Sequence, residues 1–161
     1  MTGESYTLLQ AIQIAKDAEQ KAEAFYANAA KDLTHPIGHK LMLELAGFER
    51  HHYDKLVELE ESLRKKGAFI EYEGRGLATK PTSRGEVSVD KAPKQAMEVI
   101  ELGLDAEQKA EKRYNDLAQQ TTDMAAHQMF QKLAEEEHMH YRILRDAYWN
   151  LNNRGVWSWQ K

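Results

Sequence analysis

One stretch of this chain occurs twice, and the distance between the copies constrains the fold more than any other feature. Residues 18–26 read AEQKAEAFY and residues 106–114 read AEQKAEKRY, which pairs Glu19 with Glu107 and Tyr26 with Tyr114 at a separation of 88. The same separation carries LAGFERHHYDKL at 45–56 onto LAEEEHMHYRIL at 133–144, pairing Glu49 with Glu137, His52 with His140 and Tyr53 with Tyr141. The chain is two similar halves in one register. Each half offers a glutamate on one helical stretch and a Glu-x-x-His on the next, the inward side chains with which a four-helix bundle encloses two metal ions.

The remaining composition narrows the choice. At 161 residues the chain is one domain, long enough to bury a single continuous core. Charged residues are 30% of it, glycine and proline are few, and apolar residues recur at helical spacing, so the expected class is all-α. A net charge of −4 with basic residues interspersed among acids argues against a nucleic-acid partner. The absence of cysteine excludes disulfides, thiolate zinc sites, cysteine nucleophiles and iron–sulfur clusters, so any metal must sit on oxygen and nitrogen. The stretch MTGESYTLLQAIQIAKDAEQ lacks a basic start followed by an apolar run, and no segment approaches the ~18 apolar residues of a membrane span. The expectation is a soluble, cytoplasmic protein with no membrane partner.

In order along the chain, Thr7 and Gln10 form a capping box for helix 1, expected over 8–31, with Leu8, Ala11, Ile12, Ala15, Ala18, Ala22 and Phe25 along one face. Thr34-His35-Pro36 breaks it, Thr34 serving as N-cap of a helix expected over 37–66 that carries Leu41, Leu45, Phe48, His52, Leu56, Leu59 and Leu63 and stops at Gly67. Residues 67–90 have no helical period and contain Gly74, Gly76, Pro81 and Gly85, which reads as a long crossover. Asp90 caps a third helix over 91–120 with Pro93 in its first turn, and a fourth runs over 123–151 until Asn152, Asn153 and Gly155 end it. The Trp157 and Trp159 tail reads as a seal for an end of the bundle or a subunit contact.

Glu19 lies about 15 residues before the Thr34 turn and Glu49 about 15 after it, so at 1.5 Å per residue both sit ~22 Å along an antiparallel hairpin. Glu107 and Glu137 are level across Thr122 in the same way. His52 and His140 follow their glutamates by one turn on the same faces. The expected metal ligands are therefore Glu19, Glu49, His52, Glu107, Glu137 and His140, since four buried carboxylates without cations would be severely unfavourable. Oxygen-rich, thiolate-free ligation fits two iron ions, with manganese or zinc as substitutes. Buried, metal-free ion pairs are the alternative.

From 26 acids and 7 histidines in 161 residues, roughly one acid-x-x-His arises by chance, so the shared register carries the weight. It sets aside Glu135 and His138, whose counterparts are Gly47 and Arg50, as a solvated or edge pair. Tyr26 and Tyr114, two turns beyond their glutamates, are placed to hydrogen-bond a ligand across the bundle or to pack in the core. Tyr53 and Tyr141 point away and should pack. Glu23 and Glu111 are either auxiliary ligands or exposed, the latter favoured. His39 and His127 lie ~15 Å along the helix from the ligand layer, too far to join it.

With Glu19 and Tyr26, Glu49-x-x-His52, Glu107 and Tyr114, Glu137-x-x-His140 and the long crossover in place, the chain resembles the rubrerythrins of the ferritin-like superfamily along all four helices. The resemblance implies a ferritin-like four-helix bundle and a carboxylate-bridged diiron centre, in a family whose activities include reducing hydrogen peroxide and oxidising ferrous iron. It also implies an oxidoreductase acting on peroxide or dioxygen in the defence against oxidative stress, with the four glutamates acting through the metals and the tyrosines supporting them. Ferrous-iron oxidation for storage or delivery is the alternative. A homodimer is implied too. The chain departs from the pattern in having no cysteine, which implies electrons from a separate rubredoxin-like protein or reductase. It also has Ala110 where typical members place an additional glutamate three residues after Glu107.

Overall fold

Thr7 closes both bonds of its capping box, accepting from Gln10 N–H at 3.2 Å while Gln10 Oε1 accepts from Thr7 N–H at 2.9 Å, and helix α1 follows over Leu8–Asp32. A computed structural model describes residues 7–70, 72, 74, 87, 88 and 94–157. Helix α2 spans Pro36–Lys66, α3 Lys94–Gln120 and α4 Met124–Arg154. The fold is an all-α, ferritin-like four-helix bundle. Helices α1 and α2 pack as one hairpin, α3 and α4 as the other, and α1 meets α3. No helix among the described residues is long and apolar enough to cross a membrane.

The turns correct the sequence reading in detail. His35, not Thr34, caps α2, its ring accepting from Ile37 N–H at 3.2 Å. The reason is Pro36 at the first helical position, which forces the residue immediately before it into extended backbone, the conformation an N-cap needs. The repeat-equivalent residue Asp123 caps α4, accepting from Ala126 N–H at 3.0 Å. Helix α2 ends at Gly67, as expected, in a left-handed conformation (φ 62°). Helix α4 runs past Asn152 and Asn153 to Arg154, because Asn153 bonds back to the Trp149 carbonyl at 2.9 Å and the left-handed stop comes only at Gly155 (φ 63°). The expected cap Asp90, Pro93 and the first residues of helix 3 lie outside the described residues, as does Trp159.

Each hairpin is tied by an imidazole near the start of its second helix. His39 Nδ1 donates to the Ala30 carbonyl at 2.5 Å, and His127 Nδ1 to the Ala118 carbonyl at 2.7 Å. These satisfy carbonyls in the last turns of α1 and α3 that have no partner within the helix.

Within the crossover, which the sequence shows only as irregular, Val87–Ser88 (β1) pairs antiparallel with Val156–Trp157 (β2), Val87 opposite Trp157. Trp157 is fully buried and seals one end of the bundle, its indole seated on Gly38 and stacked 6.1 Å from the His35 ring.

The apolar interior falls into two clusters. One joins Tyr26, Ala29, Leu41, Leu45, Phe48, Ile100, Leu144 and Trp157; the other joins Ile12, Ala15, Leu56, Leu59, Tyr114, Met129, Phe130 and Leu133. Along every helix the change from one cluster to the other falls at the glutamate or Glu-x-x-His position. Apolar burial on both sides, worth ~1.5–3 kcal/mol per large side chain, therefore holds a polar layer in the middle of the molecule.

Candidate metal centre

That layer contains all six residues singled out by the repeat. Glu19, Glu49, Glu107 and Glu137 are at most 2% exposed, and His52 and His140 are fully buried. Both imidazoles turn Nδ1 into the carboxylates, and their rings face each other at 6.0 Å.

Glu137 lies between them, with Oε1 3.0 Å from His52 Nδ1 and Oε2 3.2 Å from His140 Nδ1. Glu49 also reaches both, one oxygen 3.6 Å from each Nδ1. Glu19 approaches only His52 and Glu107 only His140, each at 3.5 Å. The result is two overlapping groups, Glu19–Glu49–His52–Glu137 and Glu49–Glu107–Glu137–His140, in each of which ligand atoms lie within 4.8 Å of one another. Each group could hold a metal ion, and Glu49 and Glu137 belong to both.

Electrostatics show how strained the layer is when only protons balance it. Burial, reinforced by Glu137, pushes Glu107 up to about 8. Burial together with Glu137, Glu19 and Glu107 raises Glu49 well above the usual carboxylate range. Burial alone would lower the histidines, but Glu137 and Glu19 raise His52 and Glu107 raises His140. Burial also opposes ionisation of Glu137, yet His52 and His140 hold it well below the ordinary value. Among the described residues, Glu137 Oε2 and both His140 nitrogens are buried without a hydrogen-bond partner. Carboxylate oxygens and imidazole nitrogens converging on one volume suit a divalent cation that would displace those protons, and oxygen with nitrogen and no thiolate suits iron or manganese.

The tyrosines bind across the bundle. Tyr26 on α1 donates to Glu107 on α3 at 2.5 Å, and Tyr114 on α3 donates to Glu19 on α1. Tyr53 and Tyr141 stay outside the layer, Tyr53 beneath Lys16 and Arg50 and Tyr141 against His138. Glu23 pairs with Arg50 at 3.8 Å, and its repeat equivalent Glu111 pairs with His138 at 3.2 Å, so neither turns inward. Glu135 is exposed beside Lys132.

A cavity of about 340 Å³ between α1 and α3 reaches Glu19, Glu49 and Glu107 through a lining that includes Ala18, Ala22, Phe25, Ala106 and Ala110. Two residues at the layer, Glu136 and Tyr72, are not matched by a like residue in the other half of the repeat. Glu136, 7% exposed, accepts from His52 Nε2–H at 2.8 Å and from the Tyr72 hydroxyl at 2.6 Å. The available signal was spacing: Glu136 lies three residues after Leu133 and four before His140 on the inward side of α4.

A protein-family model described as Rubrerythrin matches residues 66–148, just over half of the 161-residue chain. The chain belongs to the rubrerythrin family. The matched region includes Glu107, Glu136, Glu137 and His140, while Glu19, Glu49 and His52 lie before it, joined to the family pattern by the internal repeat. Rubrerythrin membership and the donor set both indicate a carboxylate protein that could bind iron. Among solved structures, a hypothetical protein from Pyrococcus furiosus is similar, with a TM-score of 0.72, 23% identity and 92% of each chain covered; at that identity the likeness shows the fold. None of the curated proteins compared with the chain matches it.

Proposed function

We propose that this rubrerythrin-family protein is a non-haem diiron oxidoreductase that reduces hydrogen peroxide or dioxygen with electrons from an external donor. The observation that carries the reading is the shared reach of Glu49 and Glu137, each extending one oxygen toward His52 and the other toward His140. Two iron ions held there would supply one electron each to the oxidant.

The chain's own residues set the conditions. His52 with Glu19 and His140 with Glu107 would hold one ion each, and Glu49 and Glu137 would span both. Tyr26 and Tyr114 fix the terminal glutamates by donating to them, Tyr26 leaving the other oxygen of Glu107 toward His140 and Tyr114 holding the same Glu19 oxygen that faces His52. The cavity beside Ala22 and Ala110 offers a small oxidant a route to Glu19 and Glu107, while the apolar clusters on either side exclude bulk water. Electrons would come from outside these 161 residues, which hold no cysteine, through a rubredoxin-like protein or a reductase.

Anaerobic reconstitution with ferrous iron tests this. We expect two irons per chain, and multiple turnovers with peroxide and a chemical reductant. A single stoichiometric burst of iron oxidation would favour iron storage or delivery instead. Glu49→Ala and Glu137→Ala should each abolish tight binding of two irons; unchanged stoichiometry and optical spectrum in both variants would refute the assignment.

A further inference from the structure

The two halves match in all six candidate ligands, but not at the residue that precedes each Glu-x-x-His. Residue 136, just before Glu137, corresponds in the repeat to residue 48, just before Glu49. The first is glutamate and the second phenylalanine. Each lies against the histidine of the opposite hairpin. Glu136 Oε2 is 2.8 Å from His52 Nε2, whereas the Phe48 ring packs edge-on against His140 at 4.6 Å. Among the described residues, His140 Nε2 has no hydrogen-bond partner.

Glu136 is itself held. The Tyr72 hydroxyl donates to the same Oε2 at 2.6 Å. A Cβ at Gly74 would come 3.1 Å from Oε1, and Gly74 takes φ 86°, a conformation glycine adopts without strain. Both residues belong to the crossover, which joins the hairpins and so occurs once. Among the described residues, the second half of the repeat has no equivalent of this support.

We propose that Glu136 and Tyr72 are positioning residues that make the two metal positions unequal, Glu136 fixing His52 through its Nε2–H while His140 has no such anchor. The inference rests on the metal-centre reading above. An imidazole bonded on one edge by Glu136 cannot rotate freely, so Nδ1 is presented to Glu19, Glu49 and Glu137 with its lone pair available. A carboxylate on the remote N–H also makes the ring a stronger donor to a cation, and removing such a partner typically weakens metal affinity ~10–100-fold. The first cation to bind should therefore occupy the His52 side.

Cobalt(II) titration of the metal-free, full-length chain, followed by visible absorption and calorimetry, tests the inference. In the unsubstituted protein two steps are expected, the tighter one stronger by ~10-fold or more. Glu136→Leu should weaken the tighter step toward the second, while Glu136→Gln, which keeps an acceptor for the N–H, should restore most of the difference. A proton spectrum of the cobalt-loaded protein gives a readout that general destabilisation would not mimic. One exchangeable imidazole N–H, shifted by the metal, should be protected from solvent, and it should exchange rapidly in Glu136→Leu and faster than normal in Tyr72→Phe. Equal steps in the unsubstituted protein, or two-ion binding with unchanged exchange in Glu136→Leu and Tyr72→Phe, would overturn this inference alone. Failure of the unsubstituted protein to take up cobalt would overturn the metal-centre reading and this inference with it.

Discussion

Tyr26 on α1 donates its phenol proton to Glu107 on α3 across the centre of the bundle at 2.5 Å, and 88 residues further on Tyr114 returns the contact to Glu19. All four groups are buried. These bonds join two helices that otherwise meet sparingly, and they link the layer to both apolar clusters. Removing either hydroxyl strands a carboxylate oxygen without its donor. Tyr26→Phe and Tyr114→Phe, which keep the ring and open no large cavity, should each lower stability by ~1–3 kcal/mol. Urea denaturation of the metal-free protein measures it. Losses near zero in both would mean that these phenols merely fill space.

The protons of the metal-free layer give a pH dependence of definite sign. Glu107 is raised from 4.5 to about 8 by burial and Glu137, and Glu49 is raised by burial and its carboxylate neighbours. Each holds its proton more tightly in the folded chain. Their stabilisation is complete below about pH 4.5 and is lost as pH rises through the folded values. His52 and His140, raised by their glutamates despite burial, act in the same direction, with full effect below their ordinary value. Only Glu137, held low by the histidines against the effect of burial, loses its contribution as pH falls. The melting temperature of metal-free protein should therefore decline between about pH 5 and pH 8. Over the same interval the gain from added manganese(II) should grow, because the cation displaces those protons. Calorimetry at several pH values, with and without the metal, checks both; a flat or rising metal-free curve would contradict the proton assignment.

Convergence of the six side chains was legible in the sequence because each has a partner 88 residues away, and equal distances from two turns make equal heights along two hairpins. The same filter explains what was missed. Glu136 corresponds to Phe48, so a reading that accepts only matched positions passes over it, as it passed correctly over Glu135 and His138. Tyr72 stands in an aperiodic segment, where sequence gives no indication of which side chain will lie against α4. Local choices were harder still. Thr34 and His35 are adjacent and both can cap, and only the restriction that Pro36 places on its predecessor decides for His35. The asparagines at 152 and 153 suit a helix end by type, yet the backbone turned only where glycine allowed it. Trp157 was legible as a seal because a large apolar ring beyond the last helix has few other places to go.

The cavity between α1 and α3 supplies a prediction about rate alone. Ala22 and Ala110 are repeat equivalents, and both line it alongside Glu19 and Glu107. Ala22→Leu and Ala110→Leu should narrow the passage without touching a charge. If peroxide enters here, each ~1.4 kcal/mol of added barrier slows oxidation of the iron-loaded, reduced protein about tenfold, while iron stoichiometry stays at the unsubstituted value. Stopped-flow absorbance with peroxide in excess provides the rate. Unchanged rates in both variants would place the entrance elsewhere.

Two glycines of α2 should respond to the same substitution with opposite sign. Gly47 lies in the middle of the helix, and a Cβ there would meet nothing within 4 Å, so Gly47→Ala should stabilise by about 0.5–1 kcal/mol through reduced backbone freedom in the unfolded chain. Gly38, in the first turn, has the Trp157 ring against it, and a Cβ would come 2.7 Å from Cζ2 and 2.9 Å from Cε2. The indole cannot retreat easily, being 1% exposed and carried on the strand paired with Val87. Gly38→Ala should therefore destabilise by about 1–3 kcal/mol despite its better helix propensity. Urea denaturation followed by circular dichroism separates the two signs. Stabilisation by both substitutions would mean that Trp157 is not seated on α2 and that the end of the bundle is closed by something else.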